Sequence, residues 1–298
     1  MKTLITAIRF LAVTVLYFGT FAVVSGLLLA GSSAPPPDPE SAGTTLLALL
    51  AISLLNAAVF GYVILRSGWT GWKLILSMVL VFYGVNTLMP QIETAFFVNT
   101  LPPGMLSRLF VAGFIIAAVF CPLAVLILGK ARSKTGSALE DSWPKHSITG
   151  WIARLALVVV LYLLVYFGFG YYVAWQSPAV RSYYGGQDPG SFVAQIRSVL
   201  RDQPLLFVLQ AGRALLWTSI AIPIIRMMKG KRWETPLAVA LVFAVTASQL
   251  LLPNPLMPYE VRMAHLLETT TSNFLFGLLV VVILRSSTDS TDSSIISV

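Results

Sequence analysis

Eight stretches of this chain are so long and so apolar that each has to satisfy its own backbone without water. They lie near residues 5–30, 45–66, 72–89, 105–129, 151–175, 204–228, 235–252 and 259–285. A helix crossing a bilayer needs roughly 20 mostly apolar residues, and a segment in lipid has only the helix or the closed barrel open to it. Composition agrees: 57% of the residues are hydrophobic and 11% charged, where soluble domains carry about 25% charged. The longest segments between the runs, near 131–150 and 176–203, are too short to fold alone. The expected fold is an all-α integral membrane protein with eight transmembrane helices.

The first run begins after Met1-Lys2 and ends before Ala30-Gly-Ser-Ser-Ala34, which resembles a secretion signal and its cleavage site. Its apolar part exceeds the usual signal length of about 7–15 residues, and it has a counterpart later in the chain, so it is expected to be retained as a helix. The single cysteine, Cys121, excludes a disulfide framework within the chain and a cysteine-rich metal site.

Positive charge sets the expected orientation. Lys2 and Arg9 open the chain, Arg66 and Lys73 flank the second turn, and Lys130, Arg132, Lys134, Lys145 and Arg154 fill the central loop. Arg226, Lys229, Lys231 and Arg232 follow, and Arg285 closes the last run. The alternate loops are poorer: Asp38 and Glu40 in one, Glu93 in another, with Arg181, Arg197 and Arg201 as the exception. The positive-inside rule then puts both termini in the cytoplasm and the protein in the cell membrane. The net charge of +8 reads as topology and headgroup contact; spread over several loops, it forms no nucleic-acid patch. Trp69, Trp72, Trp143, Trp151 and Trp233 on one side, and Tyr171, Tyr172, Trp175, Tyr183 and Tyr184 on the other, read as interfacial belts without a binding role.

An internal repeat is visible. Arg9-Phe-Leu-Ala-Val-Thr-Val-Leu-Tyr17 resembles Arg154-Leu-Ala-Leu-Val-Val-Val-Leu-Tyr162, and Trp72 to Phe82 resembles Trp233 to Phe243, in the same order. Two halves are expected, 1–145 and 146–298. An even number of spans in each makes them parallel repeats about an axis along the membrane normal. They diverge at two proline-rich joints, Pro90 to Gly104 and Pro253 to Pro258, where proline is expected to stop the third and seventh helices.

The last run begins with ionisable residues. At 3.6 residues per turn Arg262, His265, Glu268, Thr269, Ser272 and Asn273 share one side within about 140°, and Glu260 faces away. That stripe descends roughly 15 Å. Arg262–His265 and His265–Glu268 are i,i+3 neighbours. An ion deep in a bilayer costs at least about 2.5–3.5 kcal/mol, so Glu268 has to be neutral, paired or wet; His265 is its nearest partner in sequence, and a Glu–His pair can exchange protons near neutral pH. In the sixth run Gln210, Arg213 and Trp217 share a face, and Arg213 needs a carboxylate, with Glu93 and Glu268 the candidates. Further polar residues, Asn86, Tyr162, Tyr166, Thr246, Ser248 and Gln249, lie on other runs.

His265 and Glu268 have helical metal-pair spacing, but a site takes three or four ligands and the other histidine, His146, is in a loop. No metal, haem or other cofactor is expected, nor a nucleotide fingerprint or a serine nucleophile elbow. The Ser- and Asp-rich tail 286–298 is expected to be disordered and cytoplasmic. The leading expectation is a small-solute transporter or permease. In it His265 and Glu268 handle a proton or solute, Arg213 or Arg262 is the counter-charge, Glu93 contributes, and Thr269, Ser272 and Gln210 line the site. The alternatives are an enzyme acting on a lipid or lipid-linked substrate at the outer leaflet and a non-catalytic partner subunit. The partners expected are the bilayer, a small solute and a proton; the sequence gives no oligomeric state.

Overall fold

The structure, a computed structural model, describes residues 2–29, 42–98, 101–132, 146–254 and 256–286. Ala30 to Ala34, Asp38, Glu40, Lys134, Trp143, Lys145 and the tail from 287 therefore lie outside the described residues.

Among the described residues, eight helices are long and apolar enough to cross a membrane: Thr3–Leu28, Ala42–Arg66, Gly71–Phe97, Met105–Ile127, Ile148–Ala174, Leu205–Met227, Glu234–Leu251 and Tyr259–Arg285. They are numbered here as spans in chain order. Large apolar side chains such as Leu11, Val15, Leu80, Phe114, Leu164 and Val282 point outward from them. The segment 176–203, which the sequence presents as a loop, contains two short helices, Pro178–Tyr183 and Phe192–Asp202.

The first span packs on the second and fourth, and the third on the fourth; the fifth packs on the sixth and eighth, and the seventh on the eighth. The second also meets the seventh, and the third meets the sixth. At one end of the bundle the turns after the second and sixth spans pair with each other. Gly68 N–H donates to the Met227 carbonyl (2.6 Å) and Lys229 N–H to that of Arg66 (3.0 Å). The Arg66 guanidinium there makes two 2.6 Å bonds to the Glu234 carboxylate.

Pro90 does not stop the third span. The helix continues to Phe97, with a π-helical turn over Gly84–Leu88 just before the proline. Pro90 has no N–H to offer the carbonyls of Val85 and Asn86. Thr246 Oγ1 donates to the first (2.9 Å) and Gln249 Nε2 to the second (2.8 Å), both from the seventh span. The wider turn and the borrowed donors let the chain pass a proline that would otherwise break it. The seventh span does end near its expected joint, tightening into a 3-10 turn over Thr246–Leu251.

The seventh and eighth spans approach most closely at Gly277. A Cβ there would stand 2.6 Å from the Ala240 Cα, so only glycine admits this backbone contact. Gly212 faces open space. Gly277→Leu is therefore expected to destabilise the protein by about 1–3 kcal/mol or more, the range for overpacking, and Gly212→Ala to leave melting in detergent unchanged.

Candidate functional site

The polar side chains gather at the end of the bundle opposite the Gly68–Met227 pairing. Arg213 lies eight residues inside the sixth span and Glu268 nine inside the eighth, roughly 12–14 Å from the helix starts at 1.5 Å per residue. Buried at that depth, the Arg213 guanidinium pairs through Nη1 with Glu93, and the same nitrogen donates to Gln210 Oε1 at 2.8 Å. Of the two carboxylates open to Arg213 from sequence, the structure selects Glu93, which the continuous third span carries past Pro90 to the sixth. Arg213 is nearly enclosed, while the Glu93 side chain keeps 36% of its surface exposed.

On the eighth span His265 Nδ1 lies 3.0 Å from Glu268 Oε2. The other ring nitrogen, Nε2, lies 3.2 Å from the Tyr184 hydroxyl. With Glu268 ionised, Nδ1 must carry the hydrogen, so Nε2 of a neutral ring accepts from Tyr184. A proton added at Nε2 turns that acceptor into a donor, and Tyr184 must then accept. Tyr184 sits in the loop beyond the fifth span, where partial burial first, then Tyr183, Glu93 and Glu268, push its phenol above the ordinary value.

The two pairs share a neighbourhood. Tyr162 and Tyr166 of the fifth span both lie within electrostatic reach of Glu93, Arg213 and Glu268. Tyr162 donates a long hydrogen bond, 3.5 Å, to Gln210 Oε1 and packs edge-on against Phe276 at 4.7 Å. The stripe of the eighth span divides at this point. Arg262 turns to the seventh span, where Nη1 donates to the carbonyls of Leu250, Leu251 and Leu252 at 2.8, 3.2 and 2.7 Å. These carbonyls end a helix ahead of Pro253, so Arg262 caps the seventh span; this is its position in the structure, rather than one beside His265. Asn273 follows it, donating to the Phe243 carbonyl at 3.3 Å. Ser272 is buried and bonds back to the Thr269 carbonyl (3.4 Å), and Thr269 is half-buried. Glu260 is exposed.

Tyr184 is the residue that sequence reasoning missed. It reads as one more belt aromatic, and its contact with His265 spans 81 residues of chain, with no local signal. No metal-binding group of three or more His, Cys, Asp or Glu side chains occurs among the described residues. Comparison with known protein families, curated proteins and solved structures finds no match to this chain.

Removing one partner of a buried ion pair leaves the other uncompensated, at about 3–5 kcal/mol. Glu93→Ala is expected near the lower end, about 3 kcal/mol, because Glu93 is partly exposed. Glu93→Ala/Arg213→Met should regain much of that loss. Denaturation of the single and double variants in detergent measures both.

Proposed function

We propose that this chain is a small-solute transporter or permease of the cell membrane, with the cluster of Glu93, Arg213, Gln210, His265 and Glu268 as its polar site. One observation carries the reading. Two ionisable pairs, contributed by the third, sixth and eighth spans, lie within electrostatic reach of the same two tyrosines, with Arg213 and Glu268 roughly 12–14 Å inside their helices. Ionisable groups at that depth default to a functional role. The third span also carries a π-helical turn beside the site, a feature frequent at functional sites. His265 and Glu268 serve as the proton-handling pair, and Ser272 and Thr269 continue the polar path. Arg262, engaged with three carbonyls, is better read as a structural cap than as a counter-charge.

Several features support membrane placement with the termini and the Gly68–Met227 pairing on the cytoplasmic side. That end carries Arg9, Arg66, Lys73, Lys130, Arg154, Lys229 and Arg285. At the opposite end the helix Phe192–Asp202 has Phe192, Val193, Ile196, Val199 and Leu200 on one face, and none of its residues is buried by protein. Val193 and Leu200 are 65% and 54% exposed. Such a helix fits the lipid interface, apolar face inward, with Arg197 and Arg201 toward headgroups. A reporter inserted at Gly230 is expected to read as cytoplasmic, and one at Gly185 as external; the reverse would overturn the orientation.

The reading includes two parallel four-span repeats, residues 1–145 and 146–298. The alignment of Trp72 with Trp233 places Arg66, Ser67 and Gly68 on Met227, Met228 and Lys229, and these are the residues that bond reciprocally across the bundle. Within each half the same spans touch, first with second and fourth, third with fourth. The contacts between halves, second with seventh and third with sixth, exchange under the same operation. Aromatic packing follows. Tyr17 lies 5.2 Å from Phe120 and Phe60 lies 4.8 Å from Phe82; Tyr162 lies 4.7 Å from Phe276 and Trp217 lies 4.3 Å from Phe243.

With Cys121 replaced by alanine, single cysteines at Thr269 and Ser272 test the transport reading in oriented vesicles. Both positions are expected to react with a small charged thiol reagent from the external face, and Ser272→Cys from the cytoplasmic face as well. Reaction from the external face alone would favour the lipid-directed enzyme, and reaction from neither would favour a partner subunit.

A further inference from the structure

The sixth span turns three nitrogen-bearing side chains, Gln210, Arg213 and Trp217, toward the site, and all three are buried. Two keep an N–H with no acceptor, Gln210 Nε2 and Arg213 Nε, while Trp217 Nε1 has only the Tyr162 hydroxyl oxygen opposite it. The acceptors that could have served them are taken. Gln210 Oε1 receives Arg213 Nη1 and Tyr162, and Glu93 holds the Nη1 side of the guanidinium. The surplus is one of donors alone.

A buried donor left unpaired costs about 1–3 kcal/mol. A water molecule could serve such groups, but it brings two hydrogens of its own and needs acceptors in turn. A carboxylate or phosphate brings acceptors only, and a guanidinium edge with neighbouring N–H groups is the usual receptor for one. We propose that Gln210 and Arg213, flanked by Trp217, form an oxyanion subsite, and that the solute carried through this chain bears such an oxyanion, a carboxylate or a phosphate. The proposal rests on the transport reading and names its substrate class.

The charges around the subsite add a condition. Glu93 already offsets Arg213, so an entering anion meets the uncompensated Glu268 carboxylate. The other ionisable groups facing the site are His265 and the tyrosines Tyr162, Tyr166 and Tyr184; the seventh span has no ionisable residue beyond Glu234. The His265–Glu268 pair, the proposed proton-handling group, lies beside the subsite to take up a compensating proton. Anion binding and proton binding therefore favour each other, one proton with each oxyanion.

The test uses the full chain in nanodiscs of zwitterionic lipid, its melting followed with acetate, benzoate or inorganic phosphate. The carboxylates are expected to raise the melting temperature through mass action. Their half-saturating concentration should rise as the pH is raised, because a proton is taken up with each anion. Trp217→Phe removes one N–H; Gln210→Met removes the Nε2 donor together with the Oε1 that accepts from Arg213 and Tyr162. Each should weaken binding about five- to tenfold, the worth of one hydrogen bond, read as the anion-induced shift relative to the same variant without anion. No stabilisation by any of the anions across the range of about pH 5.5 to 8 would overturn the proposal, as would stabilisation that both variants retain. Nanodiscs containing phosphatidylglycerol separate the two sources of oxyanion. If that lipid stabilises the protein and the carboxylates do not, the subsite belongs to a headgroup and the soluble solute is excluded. If no anion binds but Ser272→Cys still reacts from both faces, the transport reading stands and the oxyanion assignment falls.

Discussion

A buried carbonyl that loses its helical donor inside this bundle has to find another from protein, because an apolar interior offers none. The seventh span is where that constraint is met. Its Thr246 and Gln249 serve the third span around Pro90, and its own last carbonyls are served by Arg262 of the eighth. Three helices are thereby keyed to one another through backbone oxygens, and their apolar side chains add close packing around Gly277. The site depends on this arrangement. Glu93 reaches Arg213 because the third span runs on to Phe97 instead of ending at the proline.

The site itself is a compromise between two opposing costs. Charges are expensive to bury, so each sits beside a partner: Arg213 with Glu93, Glu268 with His265. The pairs differ in what they can do. Glu93–Arg213 joins a carboxylate to a guanidinium, which suits a fixed structural charge. In His265–Glu268 the imidazole ring bridges from the carboxylate to the Tyr184 hydroxyl. A change of protonation on the eighth span is thus felt in the loop after the fifth.

The eight helices were legible because apolar length alone specifies them, and the His265–Glu268 contact because i,i+3 spacing does. Arg213 declared its need for a carboxylate by depth, but choosing Glu93 over Glu268 required knowing that the third span packs on the sixth. Pro90 misled because a proline announces a lost N–H and says nothing of donors arriving from another helix. The stripe on the eighth span was drawn correctly as an angle. Its division could not be seen, since the two neighbours that divide it lie far off in sequence. Helix Phe192–Asp202 was hidden by its shortness and its arginines, although its apolar residues recur at helical spacing.

The reciprocal pairing of Gly68 with Met227 and Lys229 with Arg66 joins the two sides of the bundle at one end only. A clasp of backbone hydrogen bonds, reinforced by Arg66–Glu234, resists separation far better than it resists rotation. Thr246 and Gln249 of the seventh span, bonded to the third, and Glu93–Arg213 between the third and sixth, tie the two sides a second time nearer the far end, so the bundle is closed at both levels.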